Sequence, residues 1–193
     1  MNYLDYYDLE SYLFNTVRPR FDEQRRLSAF DFFCIIIWKA NRAKTTYATK
    51  LLEHKQGYKS LEDAVSALTT GLASQPTDKD RLRHLREWHF NLPMATAVLT
   101  VLYPDDFTVY DTRVCAQLSE HLPQLPEFDS IANTANFEKM WTGYCDFRKA
   151  VRRSSAPAGL SLRDKDRYLW GKSFHDELTA DVADNFGRLR GTK

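Results

Sequence analysis

The segment Leu27-Ser28-Ala29-Phe30-Asp31 followed by Phe32-Phe33-Cys34-Ile35-Ile36-Ile37-Trp38 constrains the fold more than any other part of the chain. Ser28 and Asp31 occupy the N-cap and third positions of a capping-box-like Ser-x-x-Asp, and Leu27 and Phe32 stand at the two ends of a hydrophobic staple. The spacing predicts a helix from Ser28 to about Arg42. A helix that is apolar on all sides for two turns has no face to give to water, so other elements must surround it. The run is far shorter than the roughly 20 residues a helix needs to cross a bilayer. It therefore predicts the central helix of a protein core.

Helical periodicity and capping chemistry recur along the rest of the chain. Tyr3, Tyr7, Phe14 and Val17 predict a first amphipathic helix that Arg18-Pro19 stops, because the residue before proline avoids the helical region. Ser60 to Asp63 opens a helix carrying Val65, Leu68 and Leu72, with Gly71 near its exit. Thr77 to Asp80 opens another before Leu82, Leu85 and Trp88. Asn91 caps a small-residue helix with Pro93 in its first turn, where the missing N–H costs nothing. Pro104-Asp105-Asp106 breaks it, Phe107 to Tyr110 is extended, and Asp111 caps a helix from Thr112 to about His121. Pro123 and Pro126 bound a loop, and Phe137, Met140, Trp141, Tyr144, Phe147 and Val151 mark a long amphipathic helix. After Ser154 to Gly159, the one composition break resembling a linker, Ser161 to Asp164 opens a helix ending near Gly171. A weaker helical signal covers Ser173 to Val182, and residues 187–193 read as a frayed tail. No fixed-period repeat and no strand-like alternation is visible. The expected fold is all-α, a single compact domain over residues 1–193 with about eight or nine helices.

Charge and cysteine usage exclude several functions. The 27 basic residues against 26 acidic ones leave a net charge of +1, which by itself names no polyanionic partner. The distribution is uneven, with basic segments at 15–55 and 138–167 that suit phosphates or simply solvated helix faces. Cys34, Cys115 and Cys145 are odd in number and far apart, against a disulfide scaffold or a cysteine metal site. No cofactor or metal is expected. The acidic, aromatic start Met1-Asn2-Tyr3-Leu4-Asp5 is unlike a secretory signal, so a cytoplasmic location and no membrane are expected.

One constellation carries chemistry. Asn91-Leu92-Pro93-Met94-Ala95-Thr96-Ala97-Val98, then Tyr103-Pro104-Asp105-Asp106-Phe107-Thr108-Val109-Tyr110-Asp111-Thr112-Arg113-Val114, resembles the helix-hairpin-helix DNA glycosylase superfamily. Members have a Leu-Pro-containing turn, an Ala-rich helix, a short extended segment and an aspartate opening the next helix. The resemblance implies that Asp111 is the catalytic carboxylate. Cleaving an N-glycosidic bond builds positive charge on the deoxyribose, and a fixed carboxylate stabilises that charge and aligns water. The plain alternative is an ordinary helix cap, a position aspartate favours. Trp38, Asn41 and Arg42, at the end of the apolar helix, and Tyr110 are the implied walls of a pocket for a flipped base. Lys39, Lys44, Met94, Ala95 and Arg113 are the implied contacts to the DNA backbone.

The departures narrow what is implied. Leu92-Pro93-Met94-Ala95 has none of the glycines with which many members present backbone N–H groups to a phosphate. Pro93 or Met94 stands where bifunctional members have a lysine nucleophile, so activity at that position is monofunctional and uses water. The four-cysteine cluster of some members is missing, and the resemblance covers residues 28–121 best. Leu162 to Trp170 is similar to a closing helix of some members, with low specificity. A catalytically silent relative that binds nucleic acid, a modified nucleotide or a protein partner is the alternative, and a purely structural helical subunit the third reading. His175-Asp176 spells a phosphohydrolase dipeptide without the downstream helix that chemistry needs, while His84 and His89 point to different helix faces. His54 and His121 are isolated, and neither a phosphate-cradling glycine loop nor a Gly-x-Ser-x-Gly elbow occurs.

Overall fold

The computed structural model describes residues 3–55, 57–119 and 127–185. Among these every regular element is helical, and the chain forms two compact units, Met1–Val109 and Tyr110–Lys193. The Ser154–Gly159 break lies inside the second unit as the turn between two helices, so the change of composition there does not mark the boundary between the units. The loop expected around Pro123 and Pro126, His121 and the tail 187–193 fall outside the described residues.

The first unit begins with a 3-10 turn, Tyr3–Tyr6, then α1 (Leu9–Tyr12), a π turn (Leu13–Val17) and α2 (Arg18–Gln24). The chain therefore does not stop at Arg18-Pro19. The π turn restarts the hydrogen-bond ladder, which puts Pro19 in the first turn of α2, where an N–H is not needed. Tyr3 and Tyr7 are 78% and 94% exposed, and the buried face is instead Tyr12, Leu13, Val17 and Phe21. Next come α3 (Ala29–Ala40), a 3-10 turn Asn41–Ala43, α4 (Lys44–Leu52), α5 (Leu61–Ala73), α6 (Asp78–Glu87) and α7 (Leu92–Leu102). The apolar helix α3 is central to this unit, packing against α1, α4, α5 and α7.

The caps form largely as the sequence predicts. Ser28, Ser60, Thr77 and Asn91 each accept an N–H three residues on. Asp31 departs from the box, because its carboxylate turns inward. The Tyr12 hydroxyl donates to Oδ1 at 2.6 Å and Arg20 Nη1 to Oδ2 at 3.1 Å, tying α1 and α2 to α3 around a buried charge. Burial, and then this bond to Asp31, push the Tyr12 hydroxyl well above the ordinary tyrosine range. Gly71 lies near the exit of α5, two residues before its end at Ala73. A Cβ there would come within 2.7 Å of the His84 ring, so glycine permits the close approach of α6.

The second unit has α8 (Thr112–Ser119), α9 (Phe128–Ala132), α10 (Phe137–Arg153) and α11 (Leu162–Ala180), the last extended by a π turn Asp181–Asn185. Tyr110, Tyr144, Phe147 and Val151 form its core with Ile131 and Leu169. Gly143 admits Ile131, whose Cδ1 would lie 2.5 Å from an added Cβ. The two helices expected on either side of Gly171 are one, because packing of α11 along α8 outweighs a glycine penalty of about 1 kcal/mol.

Candidate functional site

The Leu-Pro turn is built from its neighbours inward. α4, which the sequence analysis missed although Tyr47 and Leu51 stand one helical turn apart, holds it on one side. The Tyr47 hydroxyl donates to Asn91 Oδ1 at 3.2 Å, and Lys50 Nζ donates to the His89 carbonyl at 3.0 Å. Arg86 Nη1 donates to the Phe90 carbonyl at 2.6 Å. His89 itself is left-handed, with φ of 63°, and completes the reversal between α6 and α7.

This construction employs the amides that a phosphate would need. The Met94 N–H donates to Asn91 Oδ1 at 3.0 Å and the Ala95 N–H to the Asn91 carbonyl at 2.9 Å. Pro93 has no N–H. Met94 and Ala95 are 3% and 0% exposed, so both residues belong to the core side of α7 rather than to a surface. The expected backbone grip by Met94 and Ala95 therefore has no outward donors to work with, for the physical reason that the cap has taken them.

Beyond α7 the chain breaks at Pro104-Asp105-Asp106 and runs without regular secondary structure through Phe107–Tyr110, all four buried. Asp111 follows, half-buried, at the start of α8. Its Oδ1 accepts the Arg113 N–H at 2.9 Å and its carbonyl accepts the Cys115 N–H at 2.9 Å. That is helix-cap geometry, and it also fixes the carboxylate where the helix N-terminus favours negative charge. Tyr110 is only 2% exposed, stacked on Phe128 at 4.9 Å and edge-on to Phe147 at 4.8 Å, with its hydroxyl donating to the Phe128 carbonyl at 3.3 Å. Burial pushes that hydroxyl far above the ordinary tyrosine range. A ring so placed anchors the chain beside Asp111 and offers no stacking face to a base. Arg113 pairs with Glu177 and lies 5.6 Å over the Trp170 ring, which commits it to α11.

The remaining expected residues cluster at the corner between α3 and α4. Trp38 is half-buried, edge-on to Phe14 at 6.3 Å. Asn41 is exposed, and its Oδ1 accepts from Lys44 Nζ at 3.1 Å. Arg42 and Lys44 are exposed and Lys39 half-buried, so this corner is a compact cationic surface with a tryptophan at its edge. Trp38, Lys39, Asn41, Arg42, Lys44, Met94 and Ala95 belong to the first unit; Tyr110, Asp111 and Arg113 belong to the second.

Two polar centres escaped the sequence analysis. One is the Tyr12–Asp31–Arg20 network; the other is His54, 4% exposed and stacked on Trp88 at 3.8 Å, with neither ring nitrogen hydrogen-bonded. Among the described residues no group of three or more His, Cys, Asp or Glu could hold a metal ion, and no helix is long and apolar enough to cross a membrane. Comparison of the chain with protein-family models, with curated proteins and with solved structures finds no match.

Proposed function

We propose that the protein is a monofunctional N-glycosylase-like enzyme acting on a damaged or modified base in DNA, with Asp111 as its catalytic carboxylate. The observation that supports this reading most is the local build of the Asp111 segment. A buried helix, a proline break and a buried stretch without regular structure deliver a half-exposed carboxylate whose Oδ1 is held 2.9 Å from the Arg113 amide. Such a group is oriented before substrate arrives, as stabilisation of an oxocarbenium-like sugar requires. In this reading Tyr110 holds Asp111 in place from the core of the second unit, and Trp38, Lys39, Asn41, Arg42 and Lys44 of the first unit are contacts to the DNA.

A duplex carrying a cationic pyrrolidine abasic-site analogue tests the reading whichever base is removed. The analogue imitates the sugar cation, so it should bind tighter than the plain duplex by about 10²-fold or more. Asp111→Asn keeps an oxygen for the Arg113 amide, so the fold should persist while the preference disappears. Equal preference in the variant would remove Asp111 from the chemistry.

The engaged Met94 and Ala95 amides favour a second reading, a catalytically silent module that binds nucleic acid through the α3–α4 corner. It expects binding that falls steeply with salt and depends on Arg42 and Lys44, with no analogue preference.

A further inference from the structure

His54 is held in a place that suits only its neutral form. It follows α4 in the connection to α5, and its ring lies flat on the Trp88 indole at the end of α6, with 3.8 Å between centroids and 13° between planes. Tyr58, in the same connection, is also stacked on Trp88, at 5.6 Å. His54 and Trp88 are each 4% exposed, and among the described residues neither His54 ring nitrogen has a hydrogen-bond partner. A neutral imidazole there leaves one donor and one acceptor without partners. An imidazolium would leave two donors and a buried charge.

The groups around the ring add to that cost. His89, in the reversal between α6 and α7, stands edge-on to His54 at 6.0 Å, and His84 of α6 lies against Trp88 at 6.3 Å. Lys55 adjoins His54 in the chain, and Lys50 of α4 reaches the His89 carbonyl at 3.0 Å. Burial first, and then Lys55, His89 and His84, hold the imidazole below its ordinary range, with Glu87 of α6 opposing them. The turn that seats the ring is lightly held. It is closed by the Gly57 N–H on the His54 carbonyl at 3.0 Å and the Tyr58 N–H on the Leu52 carbonyl at 2.7 Å. Lys55 within it is left-handed, with φ of 54°, a conformation that glycine alone adopts without penalty.

We propose that His54 is an acid-released latch: protonation expels its ring from Trp88 and opens the turn closed by the Gly57 and Tyr58 amides, while α3 and α7 stay folded. In the open turn both ring N–H groups reach water, so the proton is bound there in preference to the closed form and draws the turn open. Opening uncovers the Trp88 indole one residue before the His89 reversal that leads into α7.

Amide hydrogen exchange of the full chain, followed by NMR between pH 7.5 and 5 and corrected for the intrinsic rate, tests this, with circular dichroism confirming the fold of each variant. Above the ordinary histidine value of about 6.5 the Gly57 and Tyr58 amides should open to a constant extent. Below it their opening should rise by up to about tenfold per pH unit, the limit for one proton, while the α3 and α7 amides keep their protection. His54→Phe keeps the stack and removes the proton, so its Gly57 and Tyr58 exchange should be flat across the range. His89→Gln changes an exposed neighbour and should keep the rise. Unchanged protection of Gly57 and Tyr58 down to pH 5 overturns the proposal, as does the same rise in His54→Phe. A rise lost in His89→Gln would make His89 the sensor, and α3 and α7 opening in step with the turn would make the event global unfolding; either result also overturns it.

Discussion

α7 and α11 are both long helices, and they relate to water in opposite ways. Every residue of α7 except Pro93 is buried, and the helix carries no charge. α11 buries only Leu162, Asp166 and Leu169 of its 19 residues and keeps an aromatic stripe in solvent. Within the first unit α7 is enclosed by α2, α3 and α6, whereas within the second α11 leans chiefly on α8 and α10 and leaves one face over. The contrast teaches that burial follows from how many neighbours an element receives. Four apolar residues at helical spacing give no information about that number.

The contrast can be broken most directly by truncating one leucine on each helix. Leu99→Ala in α7 should destabilise the fold by about 2–5 kcal/mol, the cost of a cavity in a closed core. Leu178→Ala on α11 should change monomer stability by less than about 0.5 kcal/mol. Denaturant melts of both variants at low protein concentration check the difference; comparable losses would mean that α11 is packed as tightly as α7. A smaller effect of opposite sign separates two glycines of the second unit. Gly143→Val drives a side chain into Ile131 and should cost about 1–3 kcal/mol. Gly171→Ala should stabilise the monomer by about 1 kcal/mol, since only helix propensity changes there. Thermal melts of the pair read the two signs directly.

The smallest expected effect asks whether the first unit's interior is as well satisfied as its apolar helices suggest. Burial, with Lys55, His89 and His84 acting in the same sense and Glu87 opposing, holds the His54 imidazole below its ordinary range. The unfolded chain therefore takes up the proton first. The His54 contribution is fully present above the ordinary histidine value of about 6.5 and is lost as pH falls below it, by at most ~1.4 kcal/mol per pH unit for one proton. His54→Phe keeps the stack on Trp88 and removes the proton. Its Tm advantage over wild type should be constant above neutrality and widen on acidification; a pH-independent difference would mean that His54 takes up its proton equally in the folded and the unfolded chain.

Much of the helical frame was legible because its signals are local. Ser28, Ser60, Thr77, Asn91 and Ser161 cap the helices they were expected to cap, since each donor and acceptor lies within one turn of chain. The Asp111 cap was legible for the same reason, and its two meanings, cap and catalyst, share one geometry. Pro19 and Gly171 misled because their local penalties, a missing N–H and about 1 kcal/mol of propensity, are small beside a π turn or a long packed face. Tyr110 was expected to wall a pocket, and no pattern of neighbouring residues reports that Phe128 and Phe147 cover its ring.

By itself the sequence determined that the chain is helical, where most helices begin, and that the helix carrying Phe32, Cys34, Ile35 and Ile36 is a central one, although Phe33, Ile37 and Trp38 stay half-buried, because hydrogen bonds within a turn and apolar periodicity are properties of contiguous residues. Tertiary structure alone decided that Asp31 faces Tyr12 and Arg20, that Tyr47 and Lys50 of α4 buttress the Leu-Pro turn, and that Trp170 and Phe174 stay in solvent. Each of those outcomes depends on which distant residues arrive beside a side chain. Burial and hydrogen-bond satisfaction are set by that arrival, and no spacing along the chain encodes it.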